Sequence, residues 1–219
     1  MALLNEELRI QLKGVLDQME NPVTLALFTA QADCDTCEET KSFMAELEDV
    51  GEKVVLELYD IQNDKEKADL YNVSLTPSIV LLDHEGKDNG IKFNGIPAGH
   101  EINSLITDLL EVSGAGEDFP EEVKASLANL QTPINMKVFV TLGCPHCPGA
   151  VAKAHKLALE SPHITAEMIE AQTFSDLSNE YNVSSVPKIV FNDDHEMVGN
   201  QPIEQFLEMI EHLQGHHHH

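Results

Sequence analysis

Apolar residues at Leu8, Leu12, Val15, Leu16 and Met19 keep to one helical face, and Val123, Leu127 and Leu130 mark a counterpart in the second half of the chain. After each leading helix the pattern turns into a short continuous apolar run, "VTLALF" (23–28) and "MKVFVTL" (136–142), which reads as a buried strand. Helical spacing then returns, with Phe43, Met44 and Leu47 as the first stripe and Pro148 in the first turn of the second, where its missing N–H is harmless. Further strands are expected at 54–60 and 164–170. Each leads to a short helix, then to "PSIVLLD" or "PKIVFND", a hairpin at "HEGKDNG" or "NDDHE", and a last helix at Glu101–Glu111 or Ile203–Leu213.

The two halves share one offset. Cys34 and Cys144, Pro77 and Pro187, Tyr71 and Tyr181 (each opening Tyr-Asn-Val), and Glu57 and Glu167 are all 110 positions apart. One unit, α-β-α-β-α-β-β-α, is therefore present twice. Strands alternating with helices predict an α/β fold with a mostly parallel sheet, the hairpin adding an antiparallel edge. The boundary belongs in the Gly- and acid-rich "EVSGAGEDFP" (111–120), giving units at 1–113 and 114–215, with His216–His219 reading as a purification tag.

Composition narrows the partners. Against 38 Asp and Glu the chain has 13 Lys and Arg, a formal net charge of −25, which repels nucleic acid and anionic membrane surfaces. "MALLNEELRIQ" is not a signal peptide, and no apolar run approaches a membrane span, so a cytoplasmic protein is expected. Neither GxxxxGK[ST] nor GxGxxG occurs, which predicts no flavin or nicotinamide site of its own.

All four cysteines lie in two CxxC pairs, Cys34/Cys37 and Cys144/Cys147, each between a strand and a helix. In a reducing compartment such pairs bind metal or do redox chemistry more often than they staple a fold. A shared zinc site needs four converging ligands, whereas 106 residues lie between Cys37 and Cys144; His146 or His155 could join the second pair instead. A helix N-terminus presents unpaired N–H groups and a partial positive charge that favour a thiolate. Cys34 and Cys144, at that end, are the expected attacking thiols, and Cys37 and Cys147 the resolving ones. Thr76-Pro77 and Val186-Pro187 follow a helix and start a strand, each proline 43 positions beyond the first cysteine of its half. A cis bond there would leave the preceding backbone free to pair with an extended substrate.

CxxC at a strand-to-helix junction with this proline resembles the thioredoxin fold. The tandem arrangement, with "NGIPAGHEINSLI", is similar to the two-unit, glutaredoxin-like protein disulfide oxidoreductases and to the N-terminal module of the alkyl hydroperoxide reductase flavoprotein, over residues 5–213. The resemblance implies two tandem thioredoxin-like units, each a mixed four-stranded sheet flanked by helices, packed into one continuous sheet. It also implies dithiol–disulfide exchange on protein substrates, as reductase, oxidase or isomerase, with electrons from a separate thioredoxin-reductase-like flavoprotein or small thiols. The flavoprotein module has lost its first CxxC as a family, and Cys34 and Cys37 are kept here. A dithiol shuttle from a flavin reductase to a peroxiredoxin is the alternative; a peptide-binding module with incidental cysteines is a third reading.

The thioredoxin pattern has a buried Asp six residues before the first cysteine, where this chain has Phe28 and Val138. Glu57 and Glu167, interrupting apolar strands at matched positions, are candidate proton shuttles. The residues within and beside each pair should make the sites unequal. Asp35, with Thr36, puts negative charge beside Cys34, whereas His146, with Pro145, favours a thiolate at Cys144. Cys144–Cys147 is therefore expected to be the more oxidising and dominant pair.

Overall fold

The computed structural model describes residues 3–215; the tag read at His216–His219 lies outside them. The first half runs α1 (Glu6–Leu16), β1 (Val23–Thr29), α2 (Cys37–Val50), β2 (Val54–Asp60), α3 (Lys65–Leu70), β3 (Ser78–Leu82) and β4 (Asp88–Asn94). A 3-10 turn, Gly99–Glu101, then runs directly into α4 (Ile102–Ser113). The second half repeats the order as α5 (Glu121–Ala128), β5 (Ile134–Val140), α6 (Cys147–Glu160), β6 (Ile164–Glu170), α7 (Ser175–Glu180), β7 (Lys188–Phe191), β8 (His195–Val198) and α8 (Ile203–His212).

All eight strands join one sheet in the order β2-β1-β3-β4-β6-β5-β7-β8. The expectation of a mostly parallel sheet with an antiparallel edge needs correcting. Only β1/β2, β5/β6 and the seam pair β4/β6 are parallel, and the other four neighbours are antiparallel. Alternation of strands and helices fixes the direction of β1 and β2 but not of β3, which enters on the other side of β1 after only a short helix. The first hairpin also ends at the centre of the sheet, not at an edge, because β4 pairs with β6. β5 begins two residues before the expected 136, where Ile134 N–H donates to the His163 carbonyl at 2.9 Å. Thr141 and Leu142 are thereby left to the loop before Cys144.

Both faces of the sheet are covered, which is why the strands read as apolar runs rather than alternating ones. One face packs Leu25, Leu27, Ile79, Phe93, Val138 and Val140 against Phe43 and Leu47 of α2, Leu105 and Leu109 of α4, Leu157 of α6 and Phe206 of α8. The opposite face forms two smaller clusters, Phe28 and Val80 with Tyr71, and Phe139 and Val190 with Phe174 and Leu177. Because β4 and β6 run the same way, β1 and β5 end on one rim of the sheet, where β3 and β7 begin. Both CxxC segments sit there, four strands or about 19 Å apart.

The seam between the halves carries buried polar groups. His155 of α6 is fully buried; its Nε2–H donates to the Lys92 carbonyl at 3.1 Å, and its Nδ1 is hydrogen-bonded with the Asp108 carboxyl of α4. Burial pushes the Asp108 carboxyl above the usual range, and His155 opposes that rise. Removing one partner strands the other in a dry interface. Asp108→Ala is therefore expected to cost about 2–4 kcal/mol, read as a lower urea midpoint at constant m-value. An unchanged midpoint would mean that the pair contributes nothing net to the seam.

Candidate redox site

Each CxxC closes the gap between a central strand and the helix that follows. After β1 the chain reverses through Asp33, held at a φ of 57°, and α2 begins at Cys37. In the second half Cys144 N–H donates to the Thr141 carbonyl at 3.2 Å and α6 begins at Cys147, with Pro148 in its first turn. Both pairs are disulfide-bonded, with Cα atoms 5.5 Å apart. Cys37 and Cys147 are buried (2% and 0% exposed), and Cys34 and Cys144 are partly open to solvent. An incoming thiol can reach the first cysteine of each pair more readily than the second.

The Thr76–Pro77 and Val186–Pro187 peptide bonds are both cis. Pro77 and Pro187 are buried, and the residues before them are only partly so. In the second half Cys144 Sγ lies 3.9 Å from the Val186 carbonyl, so the partly exposed sulfur and the backbone that precedes the proline form one surface.

The two sites differ in their charged neighbours. Around the first, Asp33 and Asp35 are exposed and the first turn of α2 adds Glu38 and Glu39, so carboxylates oppose the positive helix end. Thr36 Oγ1 is buried without a hydrogen-bond partner among the described residues. The second site has exposed Pro145 and His146, and no acid in the first turn of α6.

Other expected residues lie elsewhere. Glu57 is exposed on edge strand β2, where it accepts from the Tyr59 hydroxyl at 2.8 Å. Glu167 accepts from Asn94 Nδ2 at 2.9 Å. Their registers with Ala26 and Lys137 put both on the sheet face opposite α2 and α6, so neither is brought to a cysteine pair. Phe28 and Val138 are buried core residues, and His155 is engaged at the seam. Among the described residues no three His, Cys, Asp or Glu are grouped to hold a metal ion, and no helix is long and apolar enough to cross a membrane.

One candidate residue is not legible in the sequence pattern. Glu101, at the start of α4, is fully buried and hydrogen-bonded from Ser104 Oγ at 2.6 Å. Its other oxygen, Oε2, has no partner among the described residues. Desolvation pushes its pKa up to about 7, against the opposing Ser104 hydrogen bond and the charge of His155. Helices α4 and α6 run side by side in the same direction, since His100 N–H meets the Leu142 carbonyl, Asp108 meets His155 and Glu111 meets Lys156. Glu101 is seven residues before Asp108 and Cys147 eight before His155, about 10 and 12 Å along the two helices, which sets the carboxyl beside the start of α6. The close approach needs Gly99 (φ 57°), where a Cβ would stand 2.6 Å from the Leu142 carbonyl. The sequence signal was an acid at a helix start in "PAGHEI", indistinguishable there from an exposed cap.

Comparison with known proteins agrees with this architecture. A thioredoxin domain family model matches residues 134–212. An alkyl hydroperoxide reductase component of Staphylococcus aureus (strain MRSA252) is 28% identical over 208 residues; these are 95% of this chain, which spans about 38% of the length of that relative. The structure of AhpF, a component of the Enterococcus faecalis alkyl hydroperoxide reductase, is 32% identical with a TM-score of 0.90, covering 95% of this chain and 100% of that one. A protein disulfide oxidoreductase from Aeropyrum pernix K1 is 30% identical with a TM-score of 0.88, covering 96% and 93% of the two chains. With both halves of the repeat matched at this identity, the chain belongs to the two-unit thioredoxin-fold family that includes these oxidoreductases.

Proposed function

We propose that the chain is a two-site thiol–disulfide oxidoreductase acting on protein substrates, with Cys144–Cys147 as the dominant pair. The observation that carries this is a partly exposed sulfur at a helix start, 3.9 Å from the backbone carbonyl that precedes a cis proline. A substrate disulfide laid along that backbone is attacked by the Cys144 thiolate, forming a mixed disulfide and releasing the first substrate thiolate. Cys147 then attacks the Cys144 sulfur, closing the protein disulfide and releasing the second thiol. Cys147 is buried, so it needs a base within the protein to lose its proton. Glu101, with a pKa raised to about 7, suits that role near neutral pH. Electrons return from a separate flavoprotein reductase or from small thiols, in the cytoplasm. Cys34–Cys37 performs the same exchange in a more acidic setting, and each unit, 1–113 and 114–215, carries one site.

A second reading is a dedicated dithiol relay from a flavin reductase to a peroxiredoxin. It is favoured by the match of 95% of this chain to proteins named as a component of alkyl hydroperoxide reductase. Titration in dithiothreitol or glutathione buffers, with each pair read by differential alkylation and peptide mass spectrometry, tests the main proposal. Both pairs should titrate, Cys144–Cys147 at the higher potential. If Cys34–Cys37 stays in one state throughout, the two-site reading fails and the relay moves ahead. Activity confined to a peroxiredoxin disulfide, with little on insulin, would support the relay as well.

A further inference from the structure

The two sites share one chemistry but not one surrounding. Beside the first, a groove of about 390 Å³ opens between Leu75, which stands next to Thr76 in the proline loop, and Phe174, Asp176, Leu177 and Glu180 of the second half. Phe174 and Leu177 are only partly buried, and their packing partners are on the second half's own sheet face. The wall is held close by Gly95 (φ 102°), where a Cβ would come within 2.7 Å of Glu170 Cβ and 3.6 Å of the Phe174 ring. The second site is bordered differently among the described residues. Ser185 replaces Leu75, and β8, the counterpart of β4, is the free edge of the sheet.

We infer that this groove receives an apolar side chain from an extended, positively charged peptide held at Cys34, so that the second unit sets the substrate preference of the first. The inference rests on the exchange chemistry proposed above. Two observations select this occupant. The groove continues the backbone of the proline loop, where Thr76 is the counterpart of Val186. Its exposed rim carries Asp176 and Glu180, and the cysteine pair beyond the proline loop is likewise surrounded by exposed acids, Asp33, Asp35, Glu38 and Glu39. An apolar floor with an acidic rim complements an apolar side chain flanked by Lys or Arg.

The test uses full-length protein with Cys144→Ser and Cys147→Ser, reduced and freed of reductant. Synthetic peptides carry one cysteine as a mixed disulfide with thionitrobenzoate. The Cys34 thiolate attacks the peptide sulfur, an S–S bond forms between them, and the peptide–aryl bond breaks to release the coloured aryl thiolate. Cys37 then closes Cys34–Cys37 and frees the peptide thiol. Two electrons pass from the protein dithiol to the mixed disulfide, and the two thiol protons go to the released thiolates or the buffer. A peptide with Phe beside the cysteine and flanking Lys should react about tenfold faster than its Gly or its Glu-flanked counterpart. The charge preference should fade with salt. Phe174→Ala should erase the Phe advantage, and the surface double variant Asp176→Lys/Glu180→Lys should weaken the charge preference. Protein with Cys34→Ser and Cys37→Ser, which keeps only the second site, should show neither. Equal rates for all peptides, a Phe advantage that survives Phe174→Ala, or the same preferences at the second site would overturn the groove. No release even from the free aryl disulfide would instead overturn the exchange reading, and this inference with it.

Discussion

Serine at Cys144 is expected to remove about nine-tenths or more of insulin-disulfide turnover, whereas serine at Cys34 should leave most of it intact. Both cysteines occupy the same place in the fold, so a difference must come from their neighbours. The partial positive charge at a helix start is worth about 0.3–1 kcal/mol to an adjacent anion. Glu38 and Glu39 in the first turn of α2, with Asp33 and Asp35, oppose it at the first site. At the second site the first turn of α6 carries no acid, and the neighbouring side chain is the exposed His146. A difference of 1.4 kcal/mol in thiolate stability is about a tenfold difference in thiolate population, the size of the expected asymmetry. The double variant Cys34→Ser/Cys144→Ser should fall to background. Equal losses for the two single variants would show that substrate access, not local charge, decides which site works. Salt gives an independent check, because raising it should narrow the gap by screening the exposed carboxylates of the first site.

Glu101→Gln is expected to stabilise the protein above neutral pH while slowing the second site. The folded pKa of Glu101 is raised from 4.5 to about 7, so between those values the folded chain holds a proton that the unfolded chain has released. The stability associated with that proton is fully present below pH 4.5 and is lost as pH rises through about 7. The whole loss is about 3 kcal/mol, from 1.36 kcal/mol for each tenfold change in proton affinity. Gln keeps the shape without the charge, so the variant should escape this loss and gain most over the parent at pH 8. The same change removes the proposed base for Cys147. Resolution of a mixed disulfide at the second site should slow by about tenfold to a hundredfold and lose its inflection near pH 7. Urea unfolding across pH reads the first effect, and stopped-flow resolution reads the second. A gain in stability with an unaltered rate profile would make Glu101 a structural acid only.

Much of this site is written in local sequence. Two residues between cysteines permit a disulfide across one helical turn, and the 110-residue offset shows each pair with its own proline and strands. Pro148 and the apolar stripe of α6 place the second helix. These features depend on backbone geometry within a few residues, which is why they survive without knowledge of the fold. What failed was long-range. The direction of β3 beside β1 depends on which edge of the strand is free, and periodicity carries no such information. Glu57 and Glu167 lie in strands of the right register but on the wrong face for the cysteines, a distinction that needs the sheet to be assembled.

By itself, then, the sequence determined the repeated α/β unit, the two cysteine pairs, their prolines and the difference in charge between them. Only the tertiary structure decided that β4 meets β6 in parallel. That pairing brings both sites to one rim and forces α4 against α6. From this contact come the buried Glu101 and the His155–Asp108 pair, and the same pairing of β4 with β6 brings the Phe174 wall of the groove, on the other sheet face, to the first half's proline loop. The physical reason is desolvation. An acid in "PAGHEI" reads as an ordinary helix-start residue until chain about 40 positions away excludes its water, and the burial of the histidine in "AKAHKL" likewise depends on that contact.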